Sequence, residues 1–317
     1  MEFNQTFKHI SVMPAEVTAG LIPNTQDTGK IYVDGTLGGG GHSKRLLNAL
    51  PPDARLIGID RDENAITAAT QHIGAGETRF TPVRGNFHHM PEILENLNIH
   101  KVDGILLDLG VSSHQLDTAQ RGFSYRFDGP LDMRMDNTAK LTAADIVNHY
   151  TERDLADLIF TYGEERHSRR IASAICKARA IAPITTTAAL ASIIEKANPN
   201  KKYGAPHPCM RSFMAIRIAV NDELSPLEGV ITNMVHCLNP KGRIAIITFH
   251  SLEDRIVKTT YQKIASPCTC PRDLPICACG KVPGIKIITR KPQLPTPQEL
   301  EQNSRAHSAK LRIAEKL

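Results

Sequence analysis

Four consecutive glycines at residues 38–41 form a candidate binding loop in this 317-residue chain. They follow an apolar segment that ends at Asp34 and precede a helical pattern that begins near Ser43. Because glycine has no Cβ and tolerates positive φ, the run would let the backbone approach a ligand closely. The dinucleotide fingerprint G-x-G-x-x-G/A is not met, since the third small position counted from Gly38 is Ser43, and no Gly-Lys-Ser/Thr follows as in a Walker loop. By itself the run is equally typical of a flexible turn.

A carboxylate that could hold a ribose follows the glycine run. Asp60 ends the second apolar segment, 22 residues beyond Gly38, and an acid at this place binds ribose hydroxyls in dinucleotide-binding folds. NAD and S-adenosylmethionine both carry an adenosine, so Asp60 fits either cofactor. The absence of a pyrophosphate-type glycine pattern favours S-adenosylmethionine. Phe87, just past the third predicted strand, could lie against the adenine, although a core position would also account for it.

Asp108 ends a further apolar segment, so that three such segments end in acids: Asp34, Asp60 and Asp108. Carboxylates gathered at one edge of a sheet repel one another and lose solvation unless they hold hydroxyls, amides or a cation. A sulfonium ligand would supply positive charge there. We therefore predict that Asp108 is both a catalytic and a cofactor-binding residue.

His250 follows a later apolar segment and could contact a substrate at the same edge of the sheet. The plainer interpretation is a helix start, in which Ser251 is the capping residue and Asp254 lies three residues further on. The capping interpretation is favoured.

Two cysteine pairs, Cys268/Cys270 and Cys277/Cys279, could together offer four thiolates to a zinc ion. Their C-x-C spacing is tighter than the C-x₂₋₄-C of common zinc fingers, and only six residues separate the pairs. A loop of reduced cysteines is therefore the default expectation, and no metal is predicted.

The segments that carry these residues alternate between strand and helix patterns. Short apolar runs predict buried parallel strands at residues 30–34, 55–60, 79–83 and 102–108. Later strands are predicted at residues 243–249 and, as edge or antiparallel strands, at 285–289 and 309–314. This alternation predicts an α/β fold with a doubly wound, Rossmann-like sheet that binds ligands at the carboxyl ends of its strands.

The strand pattern stops between residues 113 and 212, where only capped helical patterns and Pro/Gly-rich turns remain. This change predicts an inserted helical domain at 113–212 within a discontinuous sheet domain formed by 1–112 and 213–317. After the insertion a helix is predicted at 222–238, with Pro226 in its first turn.

Positive charge is concentrated in the predicted insertion. The whole chain has a formal net charge of +5, whereas residues 163–220 hold ten basic and three acidic side chains and so carry +7. These basic residues are Arg166, Arg169, Arg170, Lys177, Arg179, Lys196, Lys201, Lys202, Arg211 and Arg217. Such clustering suits a polyanionic partner, but a solvated helix face without a partner is equally compatible.

The composition points to neither a membrane protein nor a secreted one. The first residues lack the basic and apolar regions of a signal peptide, and no apolar run approaches the ~20 residues that span a bilayer. Seven cysteines in such a chain argue for thiols or a metal rather than disulfides. We expect a cytoplasmic protein.

Several longer motifs together resemble the MraW/RsmH family, the bacterial methyltransferases that modify the N4 amine of a cytidine in 16S ribosomal RNA. The most specific are Gly-Pro-Leu-Asp-Met-Arg-Met-Asp at 129–136 and Phe-His-Ser-Leu-Glu-Asp-Arg at 249–255. Other matching stretches lie at residues 9–13, 34–43, 58–62, 105–113, 121–124, 162–166 and 305–312. The resemblance therefore covers nearly the whole chain.

The resemblance implies a class I methyltransferase sheet that binds S-adenosylmethionine and a helical insertion that helps to bind RNA. The cofactor contacts that it implies are Gly40, Gly41, His42, Asp60, Phe87, Asp108 and Gln115. Thr36 stands at the first glycine of the general motif acid-x-Gly-x-Gly-x-Gly, so this turn must be held differently. Asp108 is followed by Leu-Gly-Val rather than the Pro-Pro-aromatic sequence of many base amino-methyltransferases, so their amine-binding geometry does not transfer.

The expected function is transfer of a methyl group from S-adenosylmethionine to a cytidine N4 amine in 16S rRNA, with the small ribosomal subunit as partner. Asp108 would accept a hydrogen bond from the amine. Phe123 or Tyr125 could stack on the extruded base, or could simply pack within their loop. The alternatives are methylation of DNA, protein or a small molecule, and a non-catalytic RNA-binding assembly protein. The glycine pattern counts against a nicotinamide oxidoreductase.

Overall fold

The computed structural model describes residues 11–23, 28–198, 207–271 and 278–317. The chain divides into two compact units. The first, here called the sheet unit, comprises Met1–Gly110 and Leu224–Leu317, and the second, the helical unit, comprises Val111–Glu223. The sequence-based boundary after Ser212 falls inside a helix of the helical unit, which runs from Cys209 to Asn221.

Seven strands and thirteen α-helices lie in the described ranges. The strands are β1 (Ile31–Asp34), β2 (Arg55–Asp60), β3 (Phe80–Arg84), β4 (Val102–Asp108), β5 (Leu238–Thr248), β6 (Ile285–Ile287) and β7 (Lys310–Lys316). The helices are α1 (Pro14–Leu21), α2 (Gly41–Ala49), α3 (Glu63–Ile73), α4 (Met90–Asn96), α5 (Ser113–Asp117), α6 (Ala143–His149), α7 (Glu152–Gly163), α8 (Ser168–Arg179), α9 (Thr187–Ala197), α10 (Cys209–Asn221), α11 (Leu227–Cys237), α12 (Ser251–Ala265) and α13 (Pro297–Gln302).

All seven strands form one sheet in the sheet unit, in the order β3-β2-β1-β4-β5-β7-β6. The first five strands of this order are parallel, and β7 runs antiparallel to both of its neighbours. The predicted bounds of β2 and β4 are confirmed to the residue. Of the two late strands, β6 is the edge strand and β7 is an interior antiparallel strand. The result is a Rossmann-like α/β sheet, as predicted.

Apolar side chains cover both faces of this sheet. Successive residues of β4 alternate between two separate core clusters, with Ile105 and Leu107 in one and Leu106 in the other. In β5 the alternation continues, since Ile246 belongs to the first cluster and Ile247 to the second. Burial on both faces explains why these strands read as continuous apolar runs rather than alternating ones.

The helix after the insertion begins later than predicted. Asp222 takes a left-handed conformation, with φ of 46°, and ends α10. The next helix, α11, starts at Leu227, and Pro226 is its capping residue rather than part of its first turn. The prediction of a helix from residue 222 was wrong because the pattern alone does not reveal the left-handed residue that separates two helices.

The helical unit has its own core, built from α6 to α10 and the segment around residues 123–135. Local capping starts two of its helices. Thr142 and Asp145 form a reciprocal capping box at α6, and the Thr151 side chain accepts the Asp154 backbone N–H at α7. In the part of the helical unit that the structure describes, the only β-pairing is an isolated bridge between Pro130 and Thr186. No described helix is long and apolar enough to cross a bilayer.

Candidate active site

Three aspartates meet at what we call the carboxyl edge, where β2, β1 and β4 end side by side in the sheet unit. Asp34 pairs in register with Gly58 of β2 and Leu106 of β4, so the ends of these strands are nearly level. Asp60 and Asp108 are the last residues of β2 and β4. The structure therefore brings Asp34, Asp60 and Asp108 together at one edge.

The glycine loop is tied to this edge through Asp60. The Gly38 N–H donates to Asp60 Oδ2 at 2.9 Å, and the Asp62 N–H donates to Asp60 Oδ1 at 2.9 Å. Burial raises the pKa of Asp60, and these two backbone hydrogen bonds oppose the shift. Each carboxylate oxygen keeps a lone pair, so Asp60 can still accept from two further hydroxyls.

Gly41 is the first residue of α2 and Gly40 is its capping residue, and neither position has room for a side chain. Gly40 has φ of 75°, and a Cβ there would lie 2.9 Å from Ala69 Cβ and 3.0 Å from Ala69 Cα. A Cβ at Gly41 would lie 2.2 Å from Ser11 Oγ. The backbone of this loop therefore packs directly against neighbouring residues. Residue 40 must be glycine because its φ is positive and because a Cβ there has no space.

Replacing Gly40 with alanine should lower the free energy of unfolding by about 1–3 kcal/mol, because alanine is strained at positive φ and its methyl meets the α3 backbone. Urea unfolding would measure the loss. Gly76→Ala is the matched control, since a Cβ there has nothing within 4 Å and no positive φ. Equal stability of the two variants would contradict this account of the loop.

Thr36 replaces a motif glycine and supplies a contact that a glycine could not. Its hydroxyl oxygen accepts the Asp108 backbone N–H at 2.6 Å, and its own N–H donates to Asp34 Oδ1 at 3.2 Å. The turn after β1 is thus held to the end of β4 by a side chain. This is how the departure from the general motif is accommodated.

Asp34 is a buried anchor for α2. It is 1% exposed, and Ser43 Oγ donates to its Oδ2 at 2.7 Å. Burial raises the pKa of Asp34 to about 6, although the hydrogen bonds from Ser43 and Thr36 oppose the shift. Its oxygens are already used within the protein, so Asp34 positions the loop.

Asp108 differs from the other two acids because part of its carboxyl group is buried and unpaired. Among the described residues, Oδ1 has no hydrogen-bond partner, and Oδ2 lies 3.7 Å from His42 Nε2. Burial, followed by the negative charges of Asp34 and Glu253, raises the pKa of Asp108 to about 8. A cation or hydrogen-bond donor beside Oδ1 would relieve this cost.

His250 and Glu253 form a buried pair at the start of α12, just past the end of β5. His250 Nε2 lies 3.1 Å from Glu253 Oε1, and the two side chains are 7% and 2% exposed. Glu253 Oε2 also accepts the Phe249 N–H at 2.9 Å. The capping residue is His250, whose Nδ1 faces the Glu253 N–H at 3.4 Å, so the prediction of a Ser251 cap was wrong by one residue.

Comparison with known proteins decides the family. A family model described as the MraW methylase family matches residues 6–317. The chain belongs to the MraW methylase family. Three relatives, each called ribosomal RNA small subunit methyltransferase H, are similar over their whole length. The chain is 52% identical to the Geobacter sulfurreducens protein over 98% of this chain and 100% of that one. It is 49% identical to the Carboxydothermus hydrogenoformans protein over 98% of both chains, and 50% identical to the Lachnospira eligens protein over 100% of both.

Two further predicted contact residues of this MraW-family chain lie in different units. Phe87 is half-buried and opens a short 3₁₀ turn after β3. It adjoins the end of β1, because a Cβ on Gly35 would lie 3.2 Å from Phe87 Cβ. Gln115 belongs to α5 of the helical unit, where its Oε1 accepts the Ser112 N–H at 3.0 Å.

In this MraW-family chain, the two aromatic residues suggested for base stacking already pack against other residues of the helical unit. Phe123 is 5% exposed within the core. The ring of Tyr125 stacks on that of His207, with centroids 4.4 Å apart, and meets Phe213 edge-on. Ordinary packing therefore accounts for Phe123 and Tyr125.

Sequence reasoning missed two residues of the site in this MraW-family chain. Glu253 was not singled out from the sequence, yet it is buried and contributes to the raised pKa of Asp108. Thr36 was seen only as a departure from a motif. A threonine at a motif glycine was the available signal for Thr36, whereas nothing in the spacing distinguishes Glu253 from a solvated helix-start acid.

Proposed function

We propose that this MraW-family chain transfers a methyl group from S-adenosylmethionine to the N4 amine of a cytidine in 16S rRNA of the small ribosomal subunit. One observation carries the proposal: the buried, unpaired Oδ1 of Asp108 at the carboxyl edge. The names of the relatives, which specify small subunit ribosomal RNA, support the choice of substrate. The resemblance of the sequence motifs to the MraW/RsmH family supports the N4 position.

The residues present fit S-adenosylmethionine. The Asp60 carboxylate would accept the ribose hydroxyls, and the side-chain-free loop at Gly40 and Gly41 would let the backbone lie against the cofactor. Phe87 would pack against the adenine. The buried Asp108 carboxyl, with His42 Nε2 3.7 Å from it, suits a positively charged group, and the bound cofactor supplies a sulfonium that activates a methyl group for transfer.

Asp108 is the residue that would act on the amine. The N4 lone pair of cytosine is conjugated into the ring, so the nitrogen is a poor nucleophile until it becomes more tetrahedral. An acceptor at Oδ1 would take a hydrogen bond from the amine and stabilise the positive charge that develops on nitrogen. In the transfer, the amine nitrogen would form its bond to the methyl carbon as the bond from that carbon to the leaving sulfur breaks, with the electron pair of the broken bond going to the leaving group. Burial raises the pKa of Asp108 to about 8 in the free protein, so the group holds a proton near neutral pH. The positive charge of a bound sulfonium would favour the carboxylate form, which would then accept the amine proton.

The test of this function is a labelled-methyl assay on four substrates. Purified protein and cofactor carrying a tritiated methyl group would be incubated with small ribosomal subunits, naked 16S rRNA, DNA and protein, followed by nucleoside analysis. Label recovered as N4-methylcytidine from either rRNA sample supports the proposal. Label in DNA or protein would replace it with another substrate, and calorimetry without cofactor binding would favour a non-catalytic RNA-binding protein.

We further propose that the helical unit binds RNA through the exposed face of α8. Arg169, Arg170 and Lys177 are exposed on this helix, and Arg170 and Lys177 are seven residues apart, so they project from the same face. Arg179 and Arg217, by contrast, are used internally: Arg179 Nη1 donates to the Val147 carbonyl, and Arg217 pairs with Glu223. Among the described residues, α8 therefore offers three exposed positive charges to a polyanion.

Replacing Arg169 and Arg170 with alanine should weaken RNA binding and make it less salt-dependent. Each lost phosphate contact lowers the slope of log affinity against log salt by about 0.7 for single strands, so the double variant should lose about 1.4. A fluorescence-anisotropy titration at several salt concentrations measures this slope. The double variant Lys140→Ala with Arg153→Ala removes two exposed charges elsewhere in the unit and is the control. An unchanged slope after loss of Arg169 and Arg170 would mean that α8 is only a solvated surface.

A further inference from the structure

Three cysteines of the sheet unit form a compact cluster, and none of them is a residue of the candidate active site. They are Cys268 and Cys270, which follow the end of α12, and Cys279, which precedes β6. Their Sγ atoms all lie within 4.8 Å of one another. The fourth cysteine of the predicted pairs, Cys277, lies outside the described residues. Cys279 lies nine residues beyond Cys270 and eleven beyond Cys268, yet the fold brings the three sulfur atoms together.

The separation of these sulfurs fits a metal ion. A tetrahedral zinc ion with Zn–S bonds of about 2.3 Å holds its thiolates about 3.8 Å from one another, which agrees with three sulfurs within 4.8 Å. A disulfide could use only two of the three, and would leave the third beside it without a role. Thiolate ligands select zinc among the common divalent ions.

The surroundings of the cluster contribute polar groups of the kind found around metal thiolates. The Ala278 N–H donates to Cys270 Sγ at 3.3 Å, and such a bond orients the sulfur and stabilises its negative charge. The Lys281 ammonium group lies nearby, since its Nζ donates to Thr269 Oγ1 at 3.4 Å. A lysine here would partly offset the net negative charge of three thiolates on one zinc ion.

The cysteine cluster lies in the connection between α12 and β6, where a bound metal ion would cross-link the chain. Residues 266–284 join α12 to β6 and contain no α-helix or strand in their described parts. The ends of this connection meet where the Gly284 N–H donates to the Ile264 carbonyl at 3.0 Å. Connections of this length without secondary structure are uncommon in compact domains, and a metal that cross-links one contributes directly to its folding free energy.

We propose that Cys268, Cys270 and Cys279 bind a structural zinc ion that orders the connection between α12 and β6. This replaces the sequence-based default of a metal-free loop. The default rested on the tight C-x-C spacing, but the folded loop brings Cys279 back to the first pair, so chain spacing does not limit the site. The zinc site uses no residue of the candidate active site, so this proposal does not depend on the proposed methyl transfer.

Elemental analysis of the full-length protein, purified under reducing conditions and without chelator, tests the site. We expect about one zinc ion per chain in the wild type and little in Cys268→Ser, Cys270→Ser or Cys279→Ser. Cys176→Ser is the matched control, because this half-buried cysteine lies on α8 of the helical unit, and it should keep its zinc. Cobalt substitution should produce thiolate-to-metal charge-transfer absorption in the wild type and in Cys176→Ser only.

A serine variant that fails to fold would lose its metal for another reason, so a measurement on the wild type completes the test. Titration with a mercurial that blocks thiols should release the zinc into a colorimetric indicator while circular dichroism reports an intact fold. The proposal is overturned if the folded, reduced wild type binds no zinc when equimolar zinc is supplied. It is also overturned if the three variants keep their zinc, or if mass spectrometry of the protein purified under reducing conditions finds a disulfide between two of the three cysteines.

Discussion

Replacing Asp108 with asparagine should reduce the rate of methyl transfer by at least ~100-fold, the loss typical when one preorganised electrostatic group is removed from an active site. The amide is neutral and cannot accept a proton, so positive charge developing on the amine nitrogen would go uncompensated. A single-turnover assay at saturating cofactor measures the chemical step. Asp53→Asn, which changes an exposed carboxyl group on the sheet unit, should retain full activity. Near-normal turnover in Asp108→Asn would contradict the proposed role of Asp108 as the acceptor for the amine.

The same substitution should stabilise the protein. The folded state holds the pKa of Asp108 near 8 instead of 3.8, so between these pH values the folded chain keeps a proton that the unfolded chain has lost. The contribution of this group to stability therefore falls as pH rises from about 4 to about 8. Asparagine removes that dependence, and its advantage over the wild type should grow across this pH range and exceed about 1 kcal/mol at pH 8.

Urea unfolding of the two proteins at several pH values measures this difference. Asp108→Ala is less informative about stability, because it also leaves a cavity, but it should be equally inactive. A variant that is inactive and no more stable than the wild type at pH 8 would show that the carboxyl group of Asp108 is not strained by burial in the free protein.

Replacing Asp60 with alanine should weaken S-adenosylmethionine binding by about 100-fold. A hydrogen bond to a charged group contributes about 1.5–3 kcal/mol, and about 1.4 kcal/mol is tenfold in affinity. The variant loses the acceptor for the ribose and also the partner of the Gly38 N–H that holds the glycine loop. Calorimetry measures the affinity, and Glu63→Ala, an exposed acid three residues away, is the control.

A 2′-deoxy analogue of the cofactor separates these two effects. The wild type should bind the analogue less tightly than the normal cofactor, because one hydroxyl donor is lost. The Asp60→Ala protein should bind both with equal affinity, since the carboxylate that discriminates between them is gone. Persistent discrimination in the variant would mean that Asp60 only holds the loop and that another group binds the ribose.

The strands that carry the site, and the acids at their ends, were predictable because local sequence patterns determine them. Continuous apolar runs with an acid at the end placed β2 and β4 to the residue, and the parallel arrangement then put Asp60 and Asp108 at one edge. The glycine run at residues 38–41 was recognisable as a candidate loop, but only the family resemblance singled out Gly40. These features depend on the residue itself and on its immediate neighbours.

The remaining parts of the site depend on contacts that spacing does not encode. The hydrogen bond from the Asp108 N–H to Thr36 joins residues 72 positions apart, and the burial of Glu253 follows from packing around the end of β5. The cap at His250 differs from the predicted Ser251 because the histidine ring reaches the backbone one residue earlier. Phe123 was proposed to stack on a base because aromatic type alone does not distinguish a core residue from an exposed one.

The pairing of β4 with β5 has a consequence for how the chain folds. These neighbouring strands are separated by 129 residues of chain, and closing a flexible loop of that length costs about 4 kcal/mol in entropy. A compact domain of about 100 residues has a radius of gyration of about 13 Å, against about 30 Å when unfolded. Early collapse of Val111–Glu223 would therefore shorten the distance between β4 and β5 before these strands pair. A mutation in the core of the helical unit would then slow the assembly of the sheet in the other unit.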